Sequence, residues 1–128
     1  MIGTAGLRAA PPHGTLRRDK RGTRVMAVLA VFRYAVKPGR MGDFLAKLEA
    51  AAEPRFDSPT MPRGVRLFRN TVPGPDTGPV ILVLEYDDMA AYGARTVFEQ
   101  ANADWRALFE ASAESPETLL AVELLTEL

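Results

Sequence analysis

Histidine and cysteine are the residue types whose scarcity most constrains this 128-residue chain. There is no cysteine. A disulfide framework and thiolate chemistry are excluded, and the composition is compatible with a reducing, cytoplasmic compartment. The one histidine, His13, lies near the N-terminus. No imidazole follows it, which removes most zinc, copper and haem ligation and every histidine-based triad from the rest of the chain. No metal is therefore expected. Formal net charge is zero, so no global field draws the molecule to nucleic acid or an anionic membrane. No apolar run approaches the roughly 18–20 residues that cross a bilayer. Nucleic acid and membrane are both absent from the expected partners.

What is present is a chain that is 47% hydrophobic, at a length that supports one core. Its charge is uneven. Residues 1–24 carry Arg8, Arg17, Arg18, Lys20, Arg21 and Arg24 against Asp19 alone, a net of +5 that leaves −5 for the remainder. With Pro11, Pro12 and four glycines, this stretch reads as a flexible basic leader. Three readings of it stand: a targeting peptide, a nucleic-acid arm built on the Arg17–Arg21 cluster, or upstream sequence ahead of a start at Met26. Residues 25–128 then form a single domain.

Within that domain the order of segments is strand, helix, strand, strand, helix, strand. Val25 to Val36 is an apolar, β-branched run that stops at Lys37-Pro38-Gly39. Met41, Phe44, Leu45, Leu48 and Ala52 recur at helical spacing, which predicts a helix from about Arg40 to Ala52, ending before Pro54. Residues 57–62 read as loop. Val65–Val72 and Val80–Tyr86 are predicted strands joined by the dense turn signal of residues 73–78. Asp87 or Asp88 offers an N-cap to a second helix whose predicted apolar face is Met89, Tyr92, Gly93, Thr96 and Val97. Asn102 caps a further short helix carrying Trp105, Leu108 and Phe109, and Thr118–Leu125 is the closing strand.

This order predicts an α+β, ferredoxin-like β-α-β-β-α-β sandwich: a four-stranded antiparallel sheet with helices on one face. Side chains alternate across a strand, so each strand offers two sets. The charge-free sets (Ala30, Phe32, Tyr34; Leu82, Leu84, Tyr86; Leu120, Val122, Leu124) fit beneath the helices. The sets that include Arg33, Glu85 and Glu123 fall on the other face, which stays largely apolar. So large a patch needs cover. A homodimer closing sheet on sheet supplies it and encloses a cavity between the two sheets.

The run Tyr34-Ala-Val-Lys-Pro-Gly-Arg-Met-Gly-Asp-Phe-Leu resembles the opening of the dimeric α+β barrel proteins, nearest to the NIPSNAP-like and antibiotic-biosynthesis-monooxygenase-like branch. Glu85-Tyr-Asp-Asp-Met-Ala-Ala-Tyr92 and Asp104-Trp-Arg-Ala-Leu108 resemble that branch's second half. The resemblance implies a dimeric α/β barrel. It also implies a small cofactor-independent enzyme acting on an aromatic or polyketide-like molecule by oxygenation or cyclisation, with Asn, Trp and Tyr side chains holding an electron-rich phenol. The alternative is a non-catalytic dimeric module of NIPSNAP-like type that binds a small ligand or has a scaffolding role.

Seven residues are candidates for the site. Arg33 and Glu85 lie on neighbouring strands, where a pair of them either orients a substrate and accepts its proton or fixes strand register. Glu123 is a possible second carboxylate in the same cavity or a solvated strand residue. Tyr34, Tyr86 and Trp105 either line a pocket for an aromatic ligand or pack in the core. Asn70 either binds a substrate carbonyl or satisfies turn backbone. The assembly is directly testable. Light scattering at micromolar concentration should return about twice the 14.0 kDa chain mass, and a well-behaved single subunit would remove the sheet-on-sheet interface.

Overall fold

The computed structural model describes residues 17–18, 24–25, 27–72 and 79–128. The leader mostly lies outside these residues, as does the 73–78 turn. Two short strands in the N-terminal stretch, β1 (Arg17–Arg18) and β2 (Arg24–Val25), pair antiparallel. The first predicted domain strand is therefore divided: Val25 belongs to β2, and the long strand β3 runs Val28–Val36. It ends where Gly39, with φ of 75°, takes a left-handed turn that a side chain would strain.

The remaining elements follow the expected order. They are α1 (Met41–Ala51), a 3-10 turn at Pro54–Phe56, β4 (Gly64–Arg69), β5 (Val80–Tyr86), α2 (Met89–Ala101), α3 (Ala103–Leu108) and β6 (Glu117–Thr126). Capping explains the break between the last two helices. Asp88 accepts a hydrogen bond from the Ala91 N–H at 2.7 Å and starts α2. Asn102 accepts from the Trp105 N–H at 3.0 Å and starts α3 at a new angle. The sheet order is β4-β5-β3-β6, antiparallel throughout.

The helix-facing side of the sheet holds the core: Tyr34, Val80 and Leu82 pack with Phe44 and Leu48 of α1. Phe44 is 0% exposed and its ring meets Tyr34 at 4.9 Å between centroids. Two expectations need correction. The alternation that places Leu120 under the helices fails at an irregularity in the β3–β6 pairing. Arg33 stands opposite Ala121 but Tyr34 stands opposite Leu119, leaving Leu120 as the extra residue of a bulge. Leu119 takes the helix-facing position instead. The predicted apolar face of α2 is also turned. Val97 is 69% exposed and Met89 is exposed, while Arg95 is the residue of α2 that is fully buried.

β6 is an edge strand with little cover. Leu119, Leu120, Val122, Leu124 and Leu125 are each 41–49% exposed. Phe44→Ala, which empties the best-covered aromatic position, should destabilise the fold by about 3–5 kcal/mol in urea titrations, with the transition remaining cooperative.

Candidate functional site

An open cavity of about 670 Å³ lies between the helix-facing side of the sheet and the helices, within one chain. That volume falls inside the range of about 300–1,000 Å³ usual for small-molecule sites. The sheet provides its floor through Phe32, Tyr34 and Leu84, and the helices provide Leu48, Trp105 and Phe109. The cavity expected from sequence is a different one, on the opposite, helix-free side of the sheet and between two copies of the chain.

The polar groups at this cavity sit at two ends. At one, α2 presents Arg95 and Glu99, one turn apart on its inner face. Arg95 is 2% exposed. Its Nε donates to Glu99 Oε2 at 2.9 Å, and its Nη1 donates to the Phe56 carbonyl at 2.6 Å and to Ser58 Oγ at 3.0 Å. The guanidinium also lies 5.0 Å from the centre of the Trp105 ring and 4.8 Å from that of Phe98. Nη2 has no acceptor among the described residues. Burial pushes the Glu99 carboxyl above its ordinary value of 4.5, and the Arg95 charge and hydrogen bond oppose that rise in part.

At the other end, Glu117 of β6 accepts from Lys47 Nζ of α1 at 2.8 and 3.1 Å, in a nearly covered ion pair. Tyr34 stands under the influence of both ends. Its phenol is pushed well above its usual range, first by burial and then by the charges of Glu117 and Glu99, so it remains an O–H donor at any working pH. The hydroxyl has no hydrogen-bond partner among the described residues, although the residue is only 6% exposed.

The candidates named from sequence divide between four places. Tyr34 and Trp105 line the cavity. Trp105 also packs edge-on against Phe56 at 5.2 Å and against Phe109 at 4.8 Å, so it is both wall and core. Tyr86 is buried on the same side of the sheet, edge-to-face with Tyr92 at 5.5 Å, but does not line the cavity. Its phenol is raised by burial and by the charge of Glu99. Asn70 follows β4, and its backbone N–H donates to the Pro79 carbonyl at 2.8 Å, closing the hairpin.

Arg33, Glu85 and Glu123 lie on the far side of the sheet from the cavity. The expected Arg33–Glu85 pair does not form. Glu85 stands opposite Leu29, four residues along β3 from Arg33. Arg33 Nε instead donates to Glu123 Oε1 at 2.7 Å across the β3–β6 pairing, while Glu85 pairs with Arg63 at 2.9 Å. Arg33 and Glu123 are 28% and 45% exposed, so solvent screens their bond.

Sequence reasoning missed Arg95, Glu99, Glu117 and Lys47. The available signal was the spacing of Tyr92, Arg95 and Glu99 at i, i+3 and i+7, which shares one helical face. Among the described residues no group of three acidic, histidine or cysteine side chains is placed to hold a metal ion, and no helix is long and apolar enough to cross a membrane.

No protein-family model matches the chain, and no curated protein matches it. A solved structure from Bordetella bronchiseptica, provisionally named an antibiotic biosynthesis monooxygenase, is similar in fold. The TM-score is 0.51 at 24% identity, covering 80% of this chain and 98% of that one. The α+β, ferredoxin-like architecture is thus shared with that protein over nearly its whole length.

The raised Glu99 carboxyl has a consequence for stability. Because the folded state holds that proton more tightly than the unfolded chain does, its contribution is full below 4.5 and is lost as pH rises through the folded-state value. Urea titrations across a pH series should show wild type losing stability relative to Glu99→Gln as pH rises from 4.5. A flat difference would contradict the assignment.

Proposed function

We propose that this chain is a small cofactor-independent enzyme that acts on an aromatic or polyketide-like molecule, by oxygenation or cyclisation, in the cavity between its sheet and its helices. The observation that carries the proposal is the Tyr34 hydroxyl, a buried donor without a partner at an aromatic-walled cavity. An unpaired buried donor is costly unless a ligand or water completes it. A planar substrate lies against Phe32, Trp105 and Phe109 and offers an oxygen to Tyr34. Nη2 of Arg95 is a second donor for negative charge developing on that oxygen. This is the role that Arg33 holds in the sequence reading, moved to the other side of the sheet.

In an oxygenation, an electron-rich phenol supplies the electrons to dioxygen itself. One oxygen atom becomes a ring carbonyl at a former CH₂, and the other leaves as water with that carbon's two hydrogens. Cyclisation uses the same stabilised enolate without dioxygen. The likeness in fold to a protein provisionally named a monooxygenase supports the reaction class. Assembly as a homodimer, with the apolar outer sheet face and the exposed β6 covered by a second copy, belongs to this reading, as does the NIPSNAP-like branch. A specific observation favours the second reading, a non-catalytic ligand-binding or scaffolding module: of the three carboxylates that line the cavity, Glu99 and Glu117 are engaged by cations and Asp57 is exposed.

Trp105, the sole tryptophan, reports occupancy. Titration with hydroxylated naphthalenes and anthracenones should quench its fluorescence and raise the melting temperature. Tyr34→Phe should weaken binding by about tenfold, the value of one hydrogen bond. Binding without oxygen uptake or cyclised product selects the non-catalytic module, and no binding by any of the compounds refutes the proposal.

A further inference from the structure

The two oxygens of Glu99 are in different situations. Oε2 is held by Arg95 Nε at 2.9 Å, while Oε1 has no hydrogen-bond partner among the described residues. Glu99 lines the cavity, and its charge reaches both the Tyr34 and the Tyr86 phenols. Arg95 is itself pinned to the Phe56 carbonyl and to Ser58, so the carboxylate it holds is fixed relative to the cavity wall. A carboxylate anchored through one oxygen, with the other free at an apolar cavity that an unpartnered O–H donor also lines, has the groups of a proton acceptor and an oxyanion donor at one site.

We infer that Glu99 Oε1 is the catalytic proton acceptor of this cavity, taking a proton from a substrate carbon activated by a carbonyl whose oxygen is received by the Tyr34 hydroxyl. The inference rests on the cavity being the enzyme's site. The C–H bond breaks and the proton goes to Oε1. The electron pair stays with the substrate, delocalised onto the carbonyl oxygen, where the Tyr34 O–H stabilises it. No oxidant is needed for this step. Reversal returns a proton from Glu99 to the same carbon, so in heavy water the position exchanges hydrogen for deuterium. The remaining groups around Glu99 fit the assignment: Arg95 opposes the rise that burial imposes on the carboxyl, and Tyr34 and Tyr86 are both raised above the ordinary phenol value.

The test uses anthrone, a tricyclic ketone with an acidified CH₂, under argon in D₂O, with exchange followed by NMR and binding followed by Trp105 quenching. The full-length protein should accelerate exchange well above buffer. Glu99→Gln, which keeps an acceptor for Arg95 Nε, should lose about a hundredfold or more of that acceleration while still quenching with anthrone, within the usual 10²–10⁴ range for a positioned base. Glu99→Asp, which withdraws the carboxylate by one methylene, should keep part of it, and this variant decides the matter if the Gln variant does not fold. Wild-type exchange in Glu99→Gln or Glu99→Asp, or failure of anthrone to quench or exchange with the unaltered protein, overturns the inference. Exchange under argon, with neither oxygen uptake nor cyclised product when the same substrate and protein are mixed in air, leaves Glu99 in place and refutes the reaction class proposed above, so the two failures are distinguishable.

Discussion

The cavity wall is organised around one buried cation. A guanidinium out of water needs compensation for the hydration it loses, and Arg95 obtains it from three separate parts of the chain. Glu99 supplies the counter-charge from the same helix. The Phe56 carbonyl and Ser58 supply acceptors from the turn that follows α1, and Trp105 supplies a π-face from α3. The turn's own 3-10 bonds, from Phe56 N–H to the Glu53 carbonyl and from Asp57 N–H to the Pro54 carbonyl, shape it locally, and the Arg95 contact ties it to α2. Arginine suits the task because its planar fork offers several donors in fixed directions and never loses its charge. A lysine would satisfy one of these partners and leave the others open.

Neutral pairing is repeated at the opposite end. Lys47 and Glu117 join α1 to the edge strand β6, as Arg95 and Glu99 join α2 to the turn. Each pair is balanced within itself, so the two pairs add strong local fields without adding net charge. A neutral, planar ligand is compatible with that balance, because it carries no charge that would have to be desolvated on entry. Between the pairs Tyr34 keeps its proton, first because it is buried and then because the charges of Glu117 and Glu99 disfavour a phenolate, and so it stays in the state in which it can donate.

Much of the architecture is legible from residue pattern, because the forces that set it are local. Pro38-Gly39 ends β3, Asp88 and Asn102 cap their helices through their own side chains, and the alternation of β5 separates Leu82 and Leu84 from Val83 and Glu85. The site is less legible because it is built from residues that hydropathy assigns to solvent. On α2 the apolar Val97 is outside and Arg95 inside, since the arginine finds its partners only after the 54–61 segment folds across it. Arg33 and Glu85 sit on adjacent strands as the sequence suggests, yet register, which depends on the whole hairpin, sets them four residues apart. Of the named candidates, the aromatic Tyr34 and Trp105 reach the cavity because apolar character and cavity lining coincide there.

The bulge at Leu120 has an electrostatic result that the strand's sequence conceals. Glu117 and Glu123 are separated by six positions, and an unbroken pleat would send an even-spaced pair to the same side. One additional residue between them reverses the parity. Glu117 arrives in the dry interior, where Lys47 awaits it, while Glu123 emerges on the outer surface to meet Arg33. β6 can therefore deliver one acid to each side of the sheet. A single-residue deletion there would strand one lysine in the interior and crowd two carboxylates together outside.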